Sequence, residues 1–249
     1  MMQEKIGLNW SIQSHSAARE FCAGVLAGGR RLGDEPCEWH RTQNDDYLRM
    51  WIDRLSKPPL RWVSQFVELI DAYAAEHGLD RVRLNDIGCC VGGFVVGIRQ
   101  QARVAIDYHG YDVSEVYLRE ARKHFPEQEF RRFDISRDEP EPADVTVMSA
   151  TLEHIVEWRD ALENVMASTR HYAMIRTFLA PNHEWAYYYK DGAAAPYPVF
   201  QFTFQEIDEA ARAGGFDLTV IRDHATDSIP KYLGCGMTRT MYVCCLRKA

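Results

Sequence analysis

The stretch LNDIGCCVGGF, residues 84–94, decides the fold class of this chain. An apolar strand runs into a glycine-rich turn, and residues 94–102 then have the apolar spacing of a helix. In a doubly wound α/β sheet, such a turn lets the backbone approach a ligand closely, and the next helix offers unpaired N–H groups. The stretch therefore predicts a binding site for a polar ligand at this turn.

The glycine spacing of the turn argues against two common nucleotide sites. A dinucleotide fingerprint, G-x-G-x-x-G, would need glycine at Cys90. A P-loop would need Gly-Lys-Ser or Gly-Lys-Thr, and the sequence contains neither. The ligand of this turn is therefore expected to be of another kind.

Outward from this stretch, predicted strands and helices alternate. The strands are expected at 82–88, 104–113, 130–135, 143–150, 171–179, 216–223 and 241–248, and the helices at 61–76, 94–102, 114–124, 158–169 and 204–213. Such alternation is typical of βαβ units in a parallel sheet. The predicted fold class is α/β, a Rossmann-like, mostly parallel sheet with helices on both faces, an antiparallel last strand and an N-terminal helical cap.

The domain organisation follows from the same pattern. Residues 1–60 are weakly periodic and are expected to cap the domain formed by residues 61–249. Residues 180–201 interrupt the alternation with a non-periodic, aromatic-rich insertion. Long connections of this kind are uncommon unless they work as lids or binding loops. We expect this insertion to shape a substrate pocket.

Length and composition bound the class of protein. The chain has 249 residues and a net charge of −7, which fits one folded domain and argues against broad binding to nucleic acid. Its seven cysteines show no CxxC spacing, so we expect reduced, mostly buried thiols. No apolar run approaches the ~20 residues of a membrane helix, and residues 1–10 lack the features of a signal peptide. We therefore expect a cytoplasmic protein with no membrane partner.

Acidic residues follow the next two strands. Asp112 ends the strand in HGYDVS, where an acid can accept both hydroxyl protons of a ribose, and Asp134 ends the strand in FRRFDIS. The next strand runs into SATLEHI, and FTFQEIDEAARAGGF precedes the last strands. The order of these motifs resembles the class I S-adenosylmethionine-dependent methyltransferases over roughly residues 83–223. The resemblance implies an enzyme whose cofactor is S-adenosyl-L-methionine.

The resemblance also implies which residues hold the cofactor. The set is Asp86, Gly88, Cys89, Cys90, Gly92, Asp112, Val113, Asp134, Ile135 and Ser149. The turn would hold the amino-acid end, Asp112 the ribose and Asp134 with Ile135 the adenine, while Ser149 would face the methyl donor. The chain departs from the family at Cys90, where glycine is usual. A side chain there narrows the turn or changes its dihedral angles.

Two histidines are candidates for catalysis. Methyl transfer is an in-line displacement that depends on positioning, and a base is useful when the acceptor is a hydroxyl or an ammonium. His154 and His183 follow the fourth and fifth strands, at the edge where ligands of this architecture bind. His154 equally fits a role in packing or capping the next helix. Some relatives bind a metal with Glu-x-x-Glu-His, but Ala150 replaces the first acid beside Glu153, so we expect no metal.

The insertion at 180–201 is predicted to recognise the acceptor. The residues expected to contact it are Trp185, Tyr187, Tyr188 and Tyr189. Aromatic rings can cover an apolar or cationic substrate, or else cover the sheet or form the contact of a homodimer. We expect methylation at O or N of a small molecule such as a sugar, an amino acid or a natural-product intermediate.

Other functions stay open at this point. Methylation of RNA or protein predicts a basic strip beside the pocket, formed by Arg131, Arg132 and Arg137. A non-catalytic binding module would keep the fold and have lost the cofactor through Cys90. An NAD-dependent enzyme fits worst, because the glycine spacing fails.

Overall fold

The computed structural model describes residues 42–43, 45–188, 193, 196–234 and 237–249. Most of the predicted cap at 1–60 lies outside these residues, as do Tyr189 and three of the cysteines, Cys22, Cys37 and Cys235. The four cysteines within them are free thiols, with Cys89, Cys244 and Cys245 buried and Cys90 half-buried. None of the described helices is long and apolar enough to span a membrane.

The described elements alternate as predicted along the first part of the chain. They are α1 (Asp45–Arg54), α2 (Arg61–His77), β1 (Arg81–Ile87), α3 (Gly93–Gln101), β2 (Ala105–Asp112), α4 (Glu115–His124), β3 (Glu129–Arg132), β4 (Ala143–Ser149), a 3-10 turn (Leu152–His154), α5 (Trp158–Ala167) and β5 (Thr169–Phe178). From α2 onward the predicted boundaries agree to within about three residues, whereas α1 and the 3-10 turn were not predicted. Helix α2 ends at Gly78, whose left-handed conformation (φ 63°) closes the last turn.

The second part of the chain holds two hairpins beside the main sheet. Its elements are β6 (Glu184–Tyr188), β7 (Tyr197–Gln201), α6 (Phe204–Ala213), β8 (Phe216–Arg222), β9 (Lys231–Gly234), β10 (Met237–Arg239) and β11 (Met241–Lys248). The prediction of a non-periodic insertion at 180–201 was wrong: β6 and β7 pair as an antiparallel hairpin. Their aromatic and β-branched side chains favour strands once they can pack on the domain.

The main sheet has the strand order β3-β2-β1-β4-β5-β11-β8. Strands β1 to β5 run parallel to one another, while β11 runs antiparallel between β5 and β8. The predicted fold class is thereby confirmed, including the antiparallel last strand. Because β1, β2 and β4 are parallel, their carboxyl ends meet at one edge of the sheet.

The two faces of the sheet carry separate cores. Helices α2, α3 and α4 cover one face, through side chains such as Phe66, Phe94 and Leu118. Helices α5 and α6 cover the other, through side chains such as Leu162 and Ile207. This arrangement leaves the carboxyl edge of the sheet to the connecting turns and to the two hairpins.

Candidate active site

The turn after β1 is tightly fitted against the neighbouring strands. The N–H groups of Gly88 and Cys89 both donate to the carbonyl of Tyr111, at 2.7 and 3.0 Å. Gly88 has φ 76°, and a Cβ on it would lie 2.2 Å from Oγ1 of Thr151. Only glycine fits this position, since a side chain would meet both a steric and a conformational barrier.

Cys90 takes the left-handed conformation that favours glycine. Its φ is 52°, so a residue with a side chain here takes the backbone conformation that glycine usually supplies. The thiol itself is unreactive, since burial raises the pKa of Cys90 well above its usual value. The N–H of Cys90 donates to Oδ2 of Asp112 at 2.9 Å. The turn after β1 is therefore joined directly to the end of β2.

Asp112 is a buried carboxylate held by two backbone N–H groups. Its Oδ1 accepts from the N–H of Ser114 at 2.8 Å, while Oδ2 accepts from Cys90. Burial raises its pKa to about 6, although both hydrogen bonds oppose the rise. The group is mainly ionised at pH 7 and above, and each oxygen keeps a lone pair for a further donor.

Asp86 lies beneath the turn and is buried. Its Oδ2 accepts from the hydroxyl of Tyr108 at 2.7 Å. Burial raises the pKa of Asp86 to about 7, and the nearby Asp112 adds to the rise. Two acids of raised pKa thus lie at adjacent strand ends, an arrangement more common at functional sites than elsewhere.

The segment after β3 is organised around Asp134. Oδ1 of Asp134 accepts from both the N–H and the hydroxyl of Ser136, at 3.1 and 2.7 Å. The side chain of Ile135 packs in the core below α5, and its carbonyl accepts from the amide of Asn164 at 2.8 Å. Val113, at the end of β2, uses its carbonyl to accept from Nε of Arg132 at 3.2 Å. These contacts fix the turn on which the adenine contacts were predicted.

The end of β4 bends sharply. Ala150 has φ 54°, an uncommon value for a residue with a side chain. Its N–H donates to the carbonyl of Arg176 at 2.8 Å, while the hydroxyl of Thr151 donates to the carbonyl of Ser149 at 3.3 Å. Backbone of this kind persists when its surroundings hold it, and it clusters at functional sites. The bend brings Thr151 against Gly88, so the turns after β1 and β4 meet.

Comparison with known proteins agrees with this geometry. Residues 85–175 match the family model described as a methyltransferase domain. Over this segment the chain is similar to a methyltransferase domain. The match confirms the predicted recognition, enzyme class and cofactor at the level of the family. A search of curated proteins found no match.

Solved structures share the fold of the methyltransferase domain at low sequence identity. A magnesium protoporphyrin IX methyltransferase from Synechocystis PCC 6803, with bound S-adenosylhomocysteine, has 14% identity and a TM-score of 0.56, covering 84% of this chain and 98% of its own. A Clostridium acetobutylicum S-adenosylmethionine-dependent methyltransferase has 11% identity and a TM-score of 0.59, covering 82% and 98%. A TehB-like enzyme from Corynebacterium glutamicum has 19% identity and a TM-score of 0.54, covering 82% and 97%.

His154 of the methyltransferase domain faces the β6–β7 hairpin. Its Nδ1 lies 2.9 Å from the carbonyl of Pro198, and its ring meets that of Tyr197 edge to face, 5.4 Å between centroids. Because a carbonyl can only accept, Nδ1 carries the proton and Nε2 the lone pair. Burial lowers the pKa of His154. The imidazole is therefore neutral at pH 7.

His183 has a different environment. Its Nδ1 lies 3.0 Å from Oε1 of Glu206, an acid that also completes the capping box of α6 with Thr203. The ring packs near Phe200 and Phe202. These contacts engage His183 in holding the start of α6 against the hairpin.

Glu153, the acid beside His154, is fully buried. Its Oε2 accepts from the hydroxyl of Thr177 at 3.0 Å, whereas Oε1 has no hydrogen-bond partner among the described residues. No group of three His, Cys, Asp or Glu side chains within those residues is placed to hold a metal ion.

The two hairpins pack together into what we call the hairpin cluster. Its buried members are Phe178, Ala186, Tyr188, Val199, Met237 and Met241, with Ala150, Tyr197 and Leu233 packed against it. The hydroxyl of Tyr188 donates to the carbonyl of Leu233 at 3.3 Å, which joins one hairpin to the other. Through Ala150, the cluster reaches the carboxyl end of β4.

The remaining predicted acceptor residues have mixed exposure. Trp185 is half-buried and stacks on Phe200, with 5.8 Å between ring centroids, whereas Tyr187 is buried. Tyr189 lies outside the described residues. The aromatic insertion therefore serves largely as core, as its alternative interpretation allowed.

The basic strip expected of an RNA methyltransferase is largely neutralised. Arg131 pairs with Glu129 and with Glu141, whose Oε1 lies 2.6 Å from its Nη1. Arg137 lies 3.6 Å from Oδ2 of Asp134. With two of the three cations paired to acids, this surface offers little positive charge to a phosphate backbone.

Sequence reasoning missed two groups of residues near the site. Tyr117 on α4 is buried beside Asp112 and Cys90, and its ring lies 6.4 Å from that of Tyr47 on α1. Helix α1 thus reaches the carboxyl end of β2. The other missed residues, Arg239 and its neighbours, lie on the β9–β10 hairpin.

Proposed function

We propose that the chain is an S-adenosylmethionine-dependent methyltransferase that methylates O or N of a small-molecule acceptor. The observation that carries this proposal is the carboxylate of Asp112, buried at the end of β2 and tied to the turn after β1. An ionised acid at this place can accept the two hydroxyl protons of a ribose, one on each oxygen.

The residues of this edge fit the cofactor. The backbone of the turn from Gly88 to Gly92 would approach its amino-acid end, since Gly88 and Cys90 expose backbone where side chains are excluded or turned aside. Ser149 and Ala150, at the bend after β4, would lie beside the methyl group. When bound, the cofactor supplies a methyl group on a sulfonium, which a correctly placed nucleophile can displace in line.

The hairpin side supports a small acceptor. The rings around His154 form an apolar surface, and small-molecule sites are typically concave, mostly apolar and supplied with few polar groups. The pairing of Arg131 and Arg137 with acids and the net charge of −7 both favour a small acceptor over RNA. One structural neighbour is named for a small-molecule acceptor, magnesium protoporphyrin IX.

His154 is the proposed general base. Its Nδ1 proton is committed to Pro198, so Nε2 presents a lone pair that can take a proton from a hydroxyl or an ammonium. Its lowered pKa keeps the imidazole neutral at pH 7. Glu153 next to it supplies a negative charge that stabilises the imidazolium formed after proton transfer.

Calorimetric titration tests the cofactor proposal. We expect saturable, roughly micromolar binding of S-adenosylmethionine and S-adenosylhomocysteine, and no heat with NAD. Protein freed of carried-over cofactor and shown to be folded by circular dichroism is the required control. No binding of either ligand would support the non-catalytic module instead.

Nuclear magnetic resonance tests the assignment of His154. Long-range proton–nitrogen correlation should show one histidine in the Nδ1–H tautomer, titrating below the usual range near 6.5. The signal is assigned by its loss in His154→Gln. A ring that is protonated at pH 7, or protonated on Nε2, would remove His154 as the base.

A further inference from the structure

The β9–β10 hairpin holds Arg239 in a fixed position beside the hairpin cluster. The N–H of Thr238 donates to Oε1 of Gln201 at 2.7 Å, and the carbonyl of Thr240 accepts from the N–H of Leu179 at 3.0 Å. Both neighbours of Arg239 are therefore tied to the domain. The side chain of Arg239 projects from an anchored strand and not from a loose loop.

Among the described residues, the guanidinium of Arg239 contacts an aromatic ring and pairs with no acidic side chain. Its centre lies 5.4 Å from the ring centroid of Phe178. Nε is buried and has no hydrogen-bond partner, and within the described part of the chain Arg239 forms no ion pair. A buried donor without an acceptor carries a desolvation cost, so the Nε of this half-buried side chain calls for an explanation, and a bound acceptor is one.

Arg239 lies next to the proposed acceptor site, because the ring of Phe178 under its guanidinium packs in the hairpin cluster with Tyr197, whose ring meets that of His154. Burial lowers the pKa of His154, and Arg239 lowers it further. Burial raises the pKa of Tyr197, and Arg239 opposes that rise. The guanidinium is thus close enough to act on the proposed base and on the ring that covers it. The acid that also acts on His154, Glu153, is bonded to Thr177 and does not pair with Arg239.

A second cation shares the same face of the hairpin. Lys231 is the cross-strand partner of Arg239, is exposed and forms no ion pair with the described residues. Like charges directly opposite one another destabilise a strand pair. Two such cations on one short hairpin, in a chain of net charge −7, are best explained by an anion that they bind together.

We propose that Arg239 binds a carboxylate of the acceptor, with Lys231 assisting at the rim, so that the substrate class is small, partly apolar carboxylic acids. This inference rests on the proposed methyltransferase function. The planar fork of a guanidinium matches a carboxylate with two parallel hydrogen bonds. A monoanion suits the site better than a phosphate dianion, because the buried Glu153 is near enough to affect the same histidine.

The test compares three probes that share one ring, benzoate, benzamide and phenyl phosphate. Each is titrated by ligand-observed nuclear magnetic resonance into the full chain saturated with S-adenosylhomocysteine. Benzoate should bind more tightly than benzamide and phenyl phosphate. Arg239→Gln should weaken benzoate about tenfold or more and leave benzamide unchanged. Lys231→Gln should weaken benzoate by about twofold, since an exposed charge contributes little.

Two controls keep the result interpretable. Arg81→Gln removes one exposed arginine from the start of β1, at the opposite edge of the sheet, and should leave all three probes unchanged. Arg239→Lys keeps the charge without the fork and should retain part of the affinity if Arg239→Gln fails to fold.

Several outcomes would overturn the proposal. These are equal binding of benzoate and benzamide, tighter binding of phenyl phosphate, no benzoate binding up to its solubility limit, or benzoate affinity unchanged by Arg239→Gln. Because S-adenosylhomocysteine binding is measured first, any of these results with that ligand bound refutes only the carboxylate site. If that ligand does not bind, the probes are titrated into the unliganded chain, and the proposed function fails separately.

Discussion

Two regions of the molecule are built in different ways. The first is the proposed cofactor edge, formed by the turns after β1, β2 and β4, and the second is the hairpin side, formed by the β6–β7 and β9–β10 hairpins. At the cofactor edge, short turns after parallel strands place backbone N–H groups and the carboxylates of Asp86 and Asp112 within one continuous stretch of chain. On the hairpin side, strands from 184–201 and 231–239 meet only in the folded state. Local contacts fix the first region, and packing between distant segments fixes the second.

The largest expected effect is a loss of cofactor affinity from a change at the proposed cofactor edge alone. Asp112→Ala should lower the affinity for S-adenosylhomocysteine about a thousandfold, because two hydrogen bonds to a charged acceptor are lost. Calorimetry measures the loss, and probe binding at the hairpin side should persist. Asp107→Ala, near the start of the same strand, is the matched control and should bind normally. Wild-type affinity in Asp112→Ala would show that the ribose lies elsewhere.

The next largest effect is expected at the buried ion pair of Asp223 with Arg176. Asp223, fully buried after β8, accepts from Nε and Nη2 of Arg176 at 2.9 and 3.1 Å and from the hydroxyl of Thr226 at 2.6 Å. Asp223→Ala leaves Arg176 buried and unpaired, so the free energy of unfolding should fall by about 3 kcal/mol. Urea denaturation measures it.

The exposed pair of Glu76 and Arg247 provides the control for Asp223→Ala. It has the same two-bond geometry but lies at the surface, so Glu76→Ala should cost much less. Burial would raise the pKa of Asp223, but the bonds from Arg176 and Thr226 outweigh it and lower that pKa. The ion pair of Asp223 with Arg176 therefore stabilises the fold above about pH 4. This stabilisation is lost as the pH falls through the pKa that Asp223 has in the folded state. Equal losses in both variants would contradict this account.

The same difference explains what the sequence could predict. The strand, turn and helix around Gly88 have local signals, namely apolar alternation, glycines and an acid at the next strand end. The strands β6 and β7 are separated by residues 189–196, a segment longer than the two-residue turns of short hairpins, and the pairing of Trp185 with Phe200 depends on the domain it packs on. Arg239 stands in no motif, since its importance comes from the lack of an ion-pair partner among the described residues. Such an absence is visible only once distant segments are placed.

The pH dependence of cofactor binding sharpens the comparison further. With a pKa of about 6, Asp112 is ionised at pH 7.5 and mostly protonated at pH 5, so affinity for S-adenosylhomocysteine should fall about tenfold between them. The stability of the unliganded protein changes in the opposite direction. Because the pKa of Asp112 is raised in the folded state, protonation between about pH 4 and 6 favours folding. Titrations across this range, with Asp112→Asn as the control that lacks the Asp112 carboxylate, measure the effect. A flat profile in wild type would show that the carboxylate does not bind the ribose.

The smallest effect concerns the departure from the family at Cys90. Glycine at position 90 would relieve about 1–2 kcal/mol of strain in the left-handed backbone. The greater conformational entropy of glycine in the unfolded chain would offset about 0.5–1 kcal/mol of that gain. Cys90→Gly should therefore change the free energy of unfolding by no more than about 1 kcal/mol and leave cofactor affinity nearly unchanged. Denaturation and calorimetry of the variant measure both. A large gain in affinity would mean that the side chain of Cys90 blocks the turn, and that the cofactor edge of the natural chain is the impaired region of the two.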